Sequence, residues 1–104
     1  MLAKFFDLPA RIRAIREGPW GPSIEEFANH LFRAGYANVT ARLHIRSAEH
    51  IVHWAMAQRL TVDELDGLAL KRFAGHLLRC RCARFPRAGR AEIVTGARLF
   101  SECL

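Results

Sequence analysis

Apolar residues in segment 23–34 recur at the spacing of a helix. Ile24, Phe27, Ala28, Leu31 and Phe32 stand at i, i+3, i+4, i+7 and i+8, a stripe with the 3.6-residue period. Ser23 precedes it with Glu26 three residues on, the spelling of a capping box, and Gly35 is placed to end it. A second helix starts near Asn38 or Val39 and covers 39–58. Its seam is Ala41, Ile45, Ala48, Val52 and Ala55, and Arg42, Arg46, Glu49 and His53 follow one residue later on a polar face. "RLTVDELD" predicts a turn with one helical turn inside it. Asp66 then caps a third helix over 67–79, with Leu70, Phe73, Ala74, Leu77 and Leu78 facing inward. "RCRCARFPRAG" predicts a basic loop, because Pro86 breaks a helix interior. A fourth helix over 88–103 is expected to bury Ile93, Ala97, Phe100 and Leu104. No segment alternates with the period of two that marks a strand. The pattern predicts an all-α domain of four main helices.

Ahead of those helices, residues 1–22 read as an N-terminal arm and linker, since "EGPWGPS" places two glycines and two prolines in seven residues. Phe5, Phe6, Leu8, Ile12 and Ile15 suit either a short helix or a segment draped over the core. Residues 23–104 then form the domain proper. A length of 104 residues suits one domain. No apolar run approaches the roughly 18 residues of a membrane span, and the N-terminus lacks the apolar block of a secretory signal. The expectation is a cytoplasmic protein.

Charge changes this picture. The formal net charge is +6 and the pI about 10.2, with arginine supplying nearly all the cations. Eight cations but only one acid, Glu92, lie between Lys71 and Arg98, whereas residues 1–36 are almost balanced. Such asymmetry is the footprint of a polyanionic partner. On an ideal helix Arg87, Arg90 and Arg98 share roughly 80° of arc.

The candidate chemistry is sparse. Cys80, Cys82 and Cys103 are an odd number of cysteines without an export signal, so reduced thiols are expected. Cys80 and Cys82 with His76 make only a loose cluster with no second ligand pair, so neither a metal nor a cofactor is expected.

The order of these elements resembles the N-terminal core-binding (SAM-like) domain of tyrosine recombinases, the phage integrase and Xer-type family. Phe27 to Leu31, the Gly35-Tyr36 turn, Thr40 entering the second helix and Trp54 near its end match the family pattern, as do "LTVDELDGLALKRFAGHL" and "RAEIVTGARLF". The resemblance covers about residues 17–104. His44 stands where the family usually has a tyrosine. The resemblance implies a four-helix bundle forming half of a clamp on duplex DNA, with its second and fourth helices against the duplex. Asn38, Thr40, Arg42, Arg46, Arg87 and Arg90 would then contact DNA. It also implies DNA integration or recombination as the parent activity, with other recombinase protomers as partners and no small-molecule substrate. The family's nucleophilic tyrosine and its arginine- and histidine-bearing boxes belong to a separate catalytic domain, expected to be absent here, as in a fragment or truncated gene product. His30-x-x-Arg33 and His76-x-x-Arg79 match one catalytic box in spelling alone, and the only tyrosine, Tyr36, lies in a turn. The expectation is therefore a DNA-binding module without enzymatic activity. The alternative is a small basic helical protein-interaction module, with Phe100 and Leu104 exposed for a partner.

Overall fold

The computed structural model describes residues 1–82, 85 and 89–104, and among these six α-helices form a bundle centred on one of them. They are α1 (Leu2–Phe5), α2 (Pro9–Glu17), α3 (Gly21–Arg33), α4 (Asn38–Ala57), α5 (Gly67–Leu77) and α6 (Arg90–Cys103). A 3-10 turn, Val62–Glu64, precedes α5. Among the described residues there is no strand, as the period of the sequence requires.

Helix α4 is the centre. Its predicted seam, Ala41, Ile45, Ala48, Val52 and Ala55, is buried throughout. Ser47, His50, Ile51 and Trp54 are buried as well, so the covered arc is much wider than one stripe. Helices α1, α3 and α6 all pack on it. Phe27 of α3 meets Phe100 of α6 edge to face at 5.4 Å, and both rings are fully buried. Burying a phenyl side chain contributes about 1.5–3 kcal/mol.

The segment predicted as arm and linker forms α1 and α2. Leu2, Phe5 and Ile15 are in the core, the Met1 ammonium donates to Asn29 Oδ1, and Arg11 donates to both Glu49 oxygens at 3.0 and 2.5 Å. The Cα radius of gyration is 12.7 Å, close to the roughly 13 Å of a compact chain of this length.

The helix ends correct several expectations. Helix α3 begins at Gly21, behind a left-handed Trp20 (φ 55°), and not at Ser23, so the expected Ser23/Glu26 capping box does not form. Gly21 permits this corner: a Cβ there would sit 2.1 Å from the Arg16 carbonyl oxygen. A capping box does form, but at Thr61 and Glu64 around the 3-10 turn. The expected cap on α5 is present, with Asp66 Oδ1 accepting from the Ala69 N–H at 2.9 Å. Gly35 also ends α3 as expected: its N–H bonds the Phe32 carbonyl and the Tyr36 N–H the Leu31 carbonyl, the paired bonds of a Schellman motif. Phe32, Leu78 and Leu104, expected inside, are exposed at the last turn or the C-cap of their helices, although the Phe32 ring still meets Phe5 edge to face at 6.4 Å. Ala69 is buried in α5 instead.

Candidate functional site

The first turn of α4 presents free backbone donors. Ala41 makes the first backbone bond into the helix, to Ala37, which leaves the N–H groups of 38–40 pointing out of the helix end. Asn38 and Thr40 are exposed there, and the N-cap residue is Ala37, with no side-chain cap. Arg42 is half-buried in the next turn, and the apolar Val39 and Leu43 stand exposed beside it. Arg90 is exposed as the first residue of α6. Arg87, also expected at this face, lies outside the described residues.

Arg46 has a different setting from Arg42. It is half-buried, with its guanidinium 4.8 Å above the centre of the Phe85 ring and 3.6 Å from Glu49. Glu49 also holds Arg11, so one carboxylate serves two cations from different helices. Thr40 and Arg46 border a cleft of about 290 Å³ between α4 and the start of α6, where His50, Phe85, Gly89 and Glu92 complete the wall. His44 lines the same cleft. Its ring meets Tyr36 edge to face at 5.5 Å, its Nδ1 is buried with no hydrogen-bond partner among the described residues, and burial lowers its pKa.

Phe100 is fully buried. This removes it as the exposed anchor expected for a protein partner. Of the two catalytic look-alikes, His30 and Arg33 are exposed on α3, with Arg33 paired to Glu26 at 3.2 Å. His76 is half-buried in a different cluster altogether.

That cluster corrects the expectation of a loose Cys80/Cys82/His76 group. His50 of α4 joins it, and one donor atom from each of His50, His76, Cys80 and Cys82 lies within 4.8 Å of every other. His50 Nε2 is 3.4 Å from Cys80 Sγ, and His76 Nε2 is 3.6 Å from Cys82 Sγ. The Cys82 backbone N–H donates to Cys80 Sγ at 3.3 Å. Phe85 stacks on His50 at 4.4 Å, and Phe73 packs against the same ring at 5.2 Å with the two planes nearly perpendicular. Burial, reinforced by His76, His53 and Arg46, lowers the His50 pKa to about 4. Burial first, then its hydrogen bond and proximity to Cys80, raises the Cys82 thiol to about 11. The signal in the sequence was half visible: Cys-x-Cys after a helical histidine is there to see, but the fourth member lies 30 positions away from Cys80.

No helix among the described residues is long and apolar enough to cross a membrane. Comparison of the chain with protein-family models, curated proteins and solved structures finds no match.

Proposed function

We propose that this chain is a duplex-DNA-binding module of the tyrosine-recombinase core-binding type, arranged as a SAM-like bundle and devoid of strand-cleaving chemistry of its own. One observation carries the reading: eight cations against a single acid between Lys71 and Arg98. Alongside it, the exposed first turn of α4 offers uncapped N–H groups together with Asn38 and Thr40, and Arg90 is exposed at the start of α6. Helix N-termini of this kind favour phosphate, and arginine adds bidentate contacts. The order of motifs across residues 17–104 supplies the family. In this reading the protein works in the cytoplasm on the nucleoid, beside full recombinase protomers. Arg42 and Arg90 contact phosphate, and Arg87 adds to them. Arg46 contributes from its place over Phe85.

Salt dependence of duplex binding tests the proposal. Each arginine–phosphate pair that is abolished flattens the slope of log K against log salt by roughly 0.9. Arg42→Ala with Arg90→Ala is therefore expected to weaken binding and flatten the slope by roughly 1.8, with thermal unfolding almost unchanged. A folded double variant that binds with the wild-type slope refutes the DNA face. Val39 and Leu43, exposed one turn apart on α4, favour the second reading, a protein-interaction module. Absence of duplex binding at low salt, together with a protein partner that Val39→Ser and Leu43→Ser release, would establish that reading instead.

A further inference from the structure

We propose that His50, His76, Cys80 and Cys82 form a structural Zn²⁺ site that joins α4, α5 and the segment following α5. Two thiols and two imidazoles are the ligand combination of closed tetrahedral zinc sites, and softer sulfur ligands select zinc over magnesium or calcium. Zn–S bonds of about 2.3 Å and Zn–N bonds of about 2.0–2.1 Å place tetrahedral donors roughly 3.3–3.8 Å apart. The two measured sulfur–nitrogen separations, 3.4 and 3.6 Å, already fall in that range. All four donors lie within 4.8 Å of each other, so the site closes on a cation with movements of about an ångström or less at each side chain.

The surroundings suit a structural ion. His50 and Cys80 are buried, His76 and Cys82 are half-buried, and the four protein donors make up a full tetrahedral set. The stacked Phe85 ring and the perpendicular Phe73 ring both pack against the His50 imidazole and hold its plane. The Cys82 N–H to Cys80 Sγ bond is the kind of outer contact that orients a thiolate ligand and stabilises its charge. Among the described residues, the Nε2 of the fully buried His50 imidazole meets a weak thiol partner, an unusual use of a core position. Two ligands come from separate helices and two from one short segment, so a bound ion ties three parts of the chain together. The site does not depend on the DNA-binding reading.

Titration of the reduced, metal-free chain with Co²⁺ tests the site. One equivalent is expected to give the intense visible bands of tetrahedral cobalt with a thiolate-to-cobalt charge-transfer band, displaced by Zn²⁺. Cys82→Ser is expected to lower affinity by more than the roughly 10–100-fold that loss of an outer partner causes. His76→Gln, also half-buried, serves where Cys82→Ser fails to fold. Cys103→Ser and His30→Ala are expected to leave the titration unchanged. Absence of Co²⁺ uptake by the reduced protein, a weak octahedral spectrum without charge transfer, or an equal loss with Cys103→Ser would each overturn the proposal.

Discussion

Arg59 sits one residue past the C-cap of α4 with φ of 59°, in the left-handed region that side chains other than glycine seldom adopt. The two bonds that close the helix, Arg59 N–H to the Met56 carbonyl and Leu60 N–H to the Ala55 carbonyl, require that conformation. Arg59 is exposed, so its side chain offsets little of the cost. Arg59→Gly is expected to stabilise the protein by about 0.5–1 kcal/mol, read as a higher urea midpoint at constant m. Trp20 has nearly the same φ, but its ring packs against the core, and lost burial there outweighs any backbone relief. Neither left-handed position was legible in the sequence, because tryptophan and arginine carry no turn signal. Gly35 does carry one, and its end of α3 was foreseen.

At the scale of elements, the pairing of α4 with α6 depends on Gly96. A Cβ at this position would lie 2.7 Å from Ser47 Cβ, 2.9 Å from Ser47 Oγ and 3.0 Å from His44 Nδ1. Gly→Ala inside a helix normally gains up to about 1 kcal/mol of propensity, whereas overpacking costs about 1–3 kcal/mol. The neighbouring Cβ belongs to a rigid helix, so the clash prevails. Gly96→Ala is expected to destabilise by about 1–2 kcal/mol in urea unfolding, and Ser47→Gly in the same chain to recover part of the loss through coupling of at least about 0.5 kcal/mol. Helix α4 itself was legible from its seam and boundaries. Its width of burial was not, since a one-sided pattern does not reveal that helices on several sides will cover Ser47, His50 and Trp54. The missed fourth member of the His/Cys cluster has the same cause: His50 meets Cys80 only through the packing of α5 beside α4, which no local spacing encodes. The misplaced capping box is different. Ser23 and Glu26 have the right letters, but the chain turns three residues earlier at Trp20, and Pro22 already suits the first helical turn.

For the molecule as a whole, the N-terminal segment is part of the core. Deleting residues 1–8 removes Leu2 and Phe5, both almost fully buried, and uncovers the faces of α3 and α4 beneath them. The expected loss is about 3–5 kcal/mol, a large share of the roughly 5–15 kcal/mol by which a domain is stable. A dispensable arm would leave the urea midpoint unchanged. The glycine–proline stretch suggested a linker because its composition matches one, and Gly18 and Gly21 here serve a tight corner that folds α2 back on α3. The central position of α4 bears on the order of assembly during synthesis. Helices α1 to α3 can collapse on α4 as soon as it has left the ribosome, while Phe27 keeps one side bare until Phe100 is made. The growing chain therefore carries an unfinished apolar groove through the synthesis of α5 and the basic segment, and α6 is the piece whose arrival ends its exposure to chaperones and to aggregation.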